Sequence, residues 1–398
     1  MAGTLALFVT GATTRALGRS GGTSKRPFSL RLPLQTGTQP TLALSLSSSA
    51  SANKPTLSLT EQMRKESEAE LAKLAHHYED RARNDPAFAD LAPIIWKTLD
   101  EATAFVNDHI ETIMFDCDGV VYRTPDECPG AKECIQRLLD KGKRVFFVTN
   151  NAASNRSQLR AKLSEILAIE NLTDDMMVPS SYSCARFLQR EILDRKGRGR
   201  LFVIGSRGLC DELEQTGFEV LTGNGPLDSD ASMTREDLAT YPFSEHPVDA
   251  VVVGHDTALS FRKICIANVL LQMNPDAPLV ATNKDAFDLV GVDGRHIPGN
   301  GCAVVALEHS SKRTAINVGK PSATLADLIA ADHGINPSRT MFVGDRLDTD
   351  IQFGVENGMH SVLVMTGVTT ADSMVQLGNG TNDEPLPNIV IPHIGLLY

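Results

Sequence analysis

The 398-residue chain has few aromatics, 5% of its residues with a single Trp, and no run of about 18 consecutive apolar residues of the kind a membrane span requires. A transmembrane protein is therefore excluded as the expectation, and no membrane partner is sought. Its seven cysteines (Cys117, Cys128, Cys134, Cys184, Cys210, Cys265 and Cys302) are an odd number, scattered, and contain no Cys-x-x-Cys pair. That argues against a disulfide framework or a structural zinc site and for packed thiols in a reducing compartment. Acidic residues are missing altogether from residues 1–60, which carry six bases and many Ser and Thr. A basic, hydroxyl-rich, acid-free start is the composition of an organelle transit peptide. The abundance of hydroxyls over Arg points to a plastid, the chloroplast stroma, with a mitochondrion or the cytosol as alternatives. The rest of the chain holds 32 bases against 49 acids, a poor match to a phosphate backbone, so no nucleic-acid partner is expected.

Hydrophobic residues make up 42% and charged residues 22%, an ordinary globular balance. Ser58-Leu59-Thr60-Glu61 reads as a capping box opening a charged helix, which belongs to a helical extension over 61–94. Ile94 to Asn107 reads as a short amphipathic helix. Beyond residue 110, β-rich runs alternate with helical stretches, which predicts an α/β fold with a Rossmann-like parallel-sheet core.

Four of the β-rich runs end in distinctive polar residues. Thr112–Phe115 leads into Asp116-Cys117-Asp118-Gly119, and Arg144–Val148 into Thr149-Asn150-Asn151. Ala315–Gly319 leads into Lys320-Pro321, and Thr340–Gly344 into Asp345-Arg346-Leu347-Asp348-Thr349-Asp350. Ligands of open α/β sheets bind beyond the carboxyl ends of strands, so these ends are expected to converge on one crevice. Asp116, Asp118 and Asp345 would repel one another unless a cation or proton lay between them. A few hard oxygen ligands with room for water and phosphate suit Mg²⁺. Lys320 adds a fixed positive charge and Thr149 with Asn150 adds neutral donors, as a phosphoryl group requires. The combination reads as a magnesium phosphoryl-transfer site. Gly319-Lys320-Pro321 is not a Walker A loop, because it lacks the earlier glycine and has proline where Ser or Thr would bind the metal.

The run Phe115 to Tyr122 resembles the first motif of the haloacid dehalogenase superfamily of phosphatases, and the three later strand ends resemble its other motifs. Val148–Asn151, Val318–Ser322 and Val343–Ile351 resemble the subfamily of phosphoglycolate, pyridoxal and nitrophenyl phosphatases. The resemblance implies that Asp116 is the nucleophile that forms an aspartyl phosphate and that Asp118 protonates the leaving oxygen, then activates water. It implies that Asp116, the backbone carbonyl of Asp118, and Asp345 hold Mg²⁺, with Asp350 supporting the metal. Thr149, Asn150, Asn151 and Lys320 would cradle the phosphoryl group.

From Thr149 to Lys320 is 171 residues, far more than one crossover needs, so an inserted domain is expected. The resemblance makes it an α/β cap over 200–313, flanked by core segments 95–199 and 314–398, which selects a small phosphorylated metabolite and mediates homodimerisation. Arg295 and His296 within it are candidates to meet a substrate carboxylate, while Ala286 to Asp293 departs from the subfamily patterns. The substrate so implied is 2-phosphoglycolate, the alternatives being pyridoxal phosphate, a broad range of esters, or binding without catalysis.

Overall fold

The computed structural model describes residues 57–85, 88, 92–222, 235–240, 242–245, 247–290, 295–378 and 384–398. The expected leader lies, but for its last residues, outside them. Among the described residues no helix is long and apolar enough to cross a membrane.

The strands, in chain order, are β1 (Ile94–Ile95), β2 (Thr112–Phe115), β3 (Tyr122–Arg123), β4 (Asp126–Glu127), β5 (Arg144–Thr149), β6 (Met177–Pro179), β7 (Arg200–Ile204), β8 (Glu219–Thr222), β9 (Ala250–Val253), β10 (Leu279–Ala281), β11 (Phe287–Val290), β12 (Arg295–Pro298), β13 (Ile316–Asn317), β14 (Thr340–Gly344), β15 (His360–Val364) and β16 (Ile389–Ile391). Seven form one parallel sheet in the order β1-β16-β15-β14-β2-β5-β6. β2 and β14 are buried along their whole length, as strands covered on both faces must be, and after an opening threonine their sequences are correspondingly apolar. The order places β2 between β14 and β5, so Asp116, Asp345 and Thr149 leave three neighbouring strands at the same end.

A second parallel sheet runs β13-β10-β9-β7-β8. One of its faces packs Phe202, Val251 and Leu279 against Ile266, Leu270 and Val304 of helices Phe261–Met273 and Gly301–Ser311. Its other face packs Leu201, Val252 and Val280 against Leu188 and Leu213 of helices Ser180–Leu188 and Arg207–Thr216. β11 and β12 form a separate antiparallel hairpin.

Two expectations are corrected here. The run before Lys320 is not a strand of the seven-stranded sheet: Ile316 and Asn317 pair with Val280 and Ala281 on the edge of the second sheet. That sheet therefore reaches past Arg313, where the inserted segment was expected to end. Ile94 does not start a helix either. Ile94 and Ile95 pair with Ile389 and Val390, and the helix begins only at Leu99. Two β-branched residues after Pro93 favour an edge strand. Thr98 and Glu101 then form a reciprocal capping box that fixes the helix start.

Helix Leu59–Asn84 opens where Ser58 Oγ accepts from the Glu61 amide at 3.2 Å. Its apolar stripe, Leu71, Leu74 and Tyr78, joins the cluster that contains Leu347, Ile351, Leu363 and Met374. Glu70 caps another helix by accepting from the Ala371 amide at 2.6 Å. The extension is thus part of the core rather than an appendage. Cys117, Cys128, Cys134, Cys184 and Cys210 are buried, as packed thiols should be, while Cys302 is exposed.

Candidate active site

Asp116 follows β2 directly and is buried. Lys320 Nζ lies 2.5 Å from its Oδ1 and 2.7 Å from Oδ1 of Asp350, itself buried. A buried ammonium is tolerated only if paired, and here it sits between two carboxylates. Burial alone would lower the Lys320 pKa, but Asp116 and Asp350 hold it above its ordinary value, so the lysine is cationic.

Asp350 is fixed from the other side as well. Its Oδ2 accepts from the backbone amides of Asp345 and Arg346, each at 3.1 Å. The tight loop and the π-helical turn Leu347–Ile351 that follows make this possible. Asp345 is buried, and its Oδ2 accepts from the Val368 amide at 2.7 Å. A Cβ added to Gly367 would collide with that oxygen, so only glycine permits this approach. Gly119, with φ of +81°, lies beside Gly367: a Cβ there would meet Asp345 Oδ2 at 2.8 Å and the Gly367 Cα at 3.0 Å.

Carboxylate oxygens of Asp116, Asp345 and Asp350 come within 4.8 Å of one another. Burial pushes Asp345 well above the usual carboxylate range, with Asp350 and Asp116 adding repulsion. Burial likewise raises Asp116, to about 7, against the pull of Lys320. Such a set of hard, mutually repelling oxygens suits a small divalent cation. Asp350 Oδ2 is occupied by the two amides, while Oδ1 is ion-paired with Lys320 and accepts no hydrogen bond.

Asp118 is exposed at the surface. The protein mass around it still raises its pKa, against the pull of Lys162 and the Tyr122 hydrogen bond, as a general acid needs. Thr149 is buried at the end of β5, and its Oγ1 accepts from the Asn151 amide at 3.2 Å. Asn151 itself is exposed and turned back, accepting at Oδ1 from the Ala153 amide at 2.7 Å.

Asn150 is placed differently from a phosphoryl donor. Its Oδ1 accepts from the Lys320 amide at 2.8 Å, and its Nδ2 donates to Asp285 Oδ1 at 2.8 Å and to the Lys320 carbonyl at 3.2 Å. Its carbonyl accepts from Asn283 Nδ2 at 2.7 Å and Ser180 Oγ at 2.5 Å. The side chain therefore ties the turn that carries Lys320 to the strand end that carries Thr149.

Three further residues neighbour the site: Asp285, which ends the run Ala281–Asp285 that the sequence offers for specificity, Arg346 of the run after β14, and Phe287. Asp285, half-buried, is pushed up to about 6 by burial despite the Asn150 hydrogen bond and Arg346. Arg346 grips Asp348 through Nε at 3.1 Å and Nη2 at 2.8 Å, and lies over the Phe287 ring of β11 at 4.9 Å. Phe287 in turn stacks on His296, centroids 4.1 Å apart and 5° from parallel. His296 is thus engaged with a ring of its own hairpin, and Arg295 is exposed beside it. Asp288 lies 3.6 Å from His255 Nδ1.

Two family patterns match the chain, haloacid dehalogenase-like hydrolase over residues 113–219 and a second hydrolase pattern of the same kind over 317–395. The first spans Asp116, Asp118 and Thr149 to Asn151, and the second spans Lys320, Asp345 and Asp350. Among curated proteins, a phosphoglycolate phosphatase of Arabidopsis thaliana is 35% identical over 272 residues, 68% of this chain and 88% of its own length. A glycerol-3-phosphate phosphatase of Gallus gallus is 36% identical over 293 residues, 73% of this chain and 90% of its own. Among solved structures, the 4-nitrophenylphosphatase of Thermotoga maritima superposes with a TM-score of 0.60 at 28% identity, covering 73% of this chain and 97% of its own. With the buried Asp116–Lys320–Asp350 cluster at the carboxyl end of a parallel sheet, these matches make the chain a member of the haloacid dehalogenase-like hydrolases, and a phosphoric monoester hydrolase.

Proposed function

We propose that the chain hydrolyses small phosphate monoesters through an aspartyl-phosphate intermediate, with 2-phosphoglycolate as its substrate. The observation that carries the chemistry is Lys320 Nζ, 2.5 Å from Asp116 and 2.7 Å from Asp350 in a buried pocket at the strand ends. An Asp116 oxygen forms a bond to phosphorus while the ester O–P bond breaks, and the Asp118 carboxyl gives its proton to the departing oxygen. Water then attacks phosphorus as Asp118 takes back a proton, and the Asp116–phosphorus bond breaks to release phosphate. Lys320 offsets charge on Asp116 and on the transferring group. Thr149, buried at the end of β5 and accepting from the Asn151 amide, keeps a hydroxyl hydrogen to donate to the phosphoryl group. Mg²⁺ would be held by Asp116, the Asp118 carbonyl and Asp345, supplying charge neutralisation at the phosphoryl oxygens when bound.

The choice of 2-phosphoglycolate is supported by the named relatives, among them a chloroplastic phosphoglycolate phosphatase of Arabidopsis thaliana, 36% identical over 263 residues, and by the transit-like leader. Import into a plastid is part of this reading, tested by whether residues 1–60 carry a fluorescent reporter into the organelle. A second substrate, a glycerol phosphate, is favoured by Asp285 and Asp288 on the inserted segment, because carboxylates accept from hydroxyls and repel a substrate carboxylate. We further propose homodimerisation through the helices of the second sheet. Phe261 is 83% exposed and Val305 62%, and a second copy would cover them. Sedimentation of Phe261→Glu, which should be monomeric, tests this.

The deciding measurement is kcat/KM with Mg²⁺ across 2-phosphoglycolate, glycerol 3-phosphate, pyridoxal phosphate and 4-nitrophenyl phosphate. A preference for phosphoglycolate beyond about 100-fold, or about 2.7 kcal/mol, supports a dedicated enzyme. Equal or better turnover of another ester sinks the substrate assignment. Full activity in Asp116→Asn would sink the chemistry.

A further inference from the structure

We propose that Tyr122 is a positioning residue for proton transfer: its phenol holds one oxygen of Asp118, so that the other delivers the proton to the leaving group. The inference rests on the phosphatase reading given above. Tyr122 is the fourth residue after Asp118, in the short strand β3, and is 1% exposed. Its hydroxyl donates to Asp118 Oδ2 at 2.9 Å. The backbone reinforces the contact, because the Gly119 amide donates to the Tyr122 carbonyl at 2.8 Å and Asp118 and Tyr122 form an isolated bridge. The ring is also held across its face, with Lys162 Nζ 3.9 Å from the centroid. A phenol is protonated at neutral pH and a carboxyl oxygen accepts, so Tyr122 acts as the donor.

The consequence is chemical as well as geometric. While Asp118 is a neutral acid, Tyr122 donates to its carbonyl oxygen and the acidic proton resides on Oδ1. As that proton passes to the departing alkoxide, Asp118 becomes a carboxylate and the same hydrogen bond becomes charge-assisted, hence stronger. An interaction that strengthens as the reaction proceeds lowers the barrier rather than the ground state. It matters most where the leaving oxygen needs its proton. An alkyl phosphate such as glycerol 3-phosphate expels a basic alkoxide, whereas 4-nitrophenyl phosphate expels a phenolate that departs without help.

The test is Tyr122→Phe, assayed for kcat/KM on both esters, since that constant reports the step in which the leaving group departs. The expected result is a loss of about 10- to 100-fold on glycerol 3-phosphate, the scale of a hydrogen bond to a charged group, and under about threefold on 4-nitrophenyl phosphate. The ratio of the two constants is independent of the fraction of folded enzyme, so partial misfolding does not mimic it. Equal losses on both esters, or none, would overturn the proposal and leave Tyr122 as core packing. Should Tyr122→Phe be insoluble, Tyr122→Met is read in the same way. 2-Phosphoglycolate, whose leaving group is also an alkoxide, replaces glycerol 3-phosphate if the latter is not turned over; if wild-type enzyme fails on all three esters or Asp116→Asn retains turnover, the parent reading fails instead, and the two failures remain distinct.

Discussion

Asp285→Asn should stabilise the protein above neutral pH and leave it unchanged in acid. Asp285 accepts from Asn150 Nδ2 at 2.8 Å through Oδ1, an acceptor that Asn retains. What the substitution removes is the charge. Burial raises the carboxyl from the ordinary Asp value near 4 to about 6, outweighing both that hydrogen bond and Arg346. A shift of about two units corresponds to about 3 kcal/mol, a ceiling because the side chain is only half-buried. The sign follows from proton binding. The folded state binds this proton more tightly than the unfolded state, so its contribution is full below pH ~4, declines as the pH rises from ~4 to ~6, and is absent above. Asn has no such term. Urea unfolding of both proteins between pH 4 and 8 should therefore give free energies that coincide in acid and separate by up to about 3 kcal/mol by pH 8, the variant being the more stable. A difference independent of pH, or a variant less stable at pH 8, would refute the argument. A carboxylate that lowers stability where it stands is placed for binding rather than for folding, which fits its position beside Lys320 and Asn150.

Gly367→Ala should fold yet lose more than about 100-fold in kcat, because its Cβ would displace the Asp345 carboxylate; kcat measured against Mg²⁺ concentration checks it. Lys320→Met leaves Asp116 and Asp350 buried without their shared counter-charge and should cost about 3–5 kcal/mol in urea unfolding at pH 8. Asp332 is gripped by Arg186, at 2.9 and 2.8 Å, and by Arg190 at 2.7 Å. The Arg186 hydrogen bonds lead in lowering it to about 2. That contribution is present above pH ~4 and lost as the pH falls toward 2, so Asp332→Asn should cost about 1–2 kcal/mol near neutrality and flatten the acid limb of a stability–pH curve.

The parts legible in the sequence are those in which one short segment supplies both the strand and the reactive group. A β-rich run ending in Asp116 or Asp345 announces a strand end, because the apolar residues must be covered on both faces and the polar ones must leave the sheet. The apolar runs of β7, β9 and β10 stand out on the same grounds, whereas β8, with an exposed Glu219 and three half-buried residues, blends into its surroundings. The strand before Lys320 shows the limit. Two residues, Ile316 and Asn317, carry the whole of β13, and nothing in them says whether they extend the sheet of Asp116 or that of Val280. The partners of Asp285, Arg346 and Phe287 stayed hidden for a related reason: they are distant in the chain, such as Asn150, 135 residues before Asp285.

Because β13 belongs to the second sheet, Lys320 enters the site from that sheet, while Asp116, Asp345 and Asp350 enter it from the other. Something must hold the two in register, and Asn150 has the chemistry to do so. An amide offers one acceptor and two donor hydrogens, and here they meet the Lys320 amide, the Lys320 carbonyl and Asp285. Leucine would orphan all of these buried groups, and aspartate would set a second carboxylate against Asp285. The side chain at the end of β5 is therefore better understood as the tie that brings Lys320 Nζ to 2.5 Å from Asp116 than as a donor to the phosphoryl group.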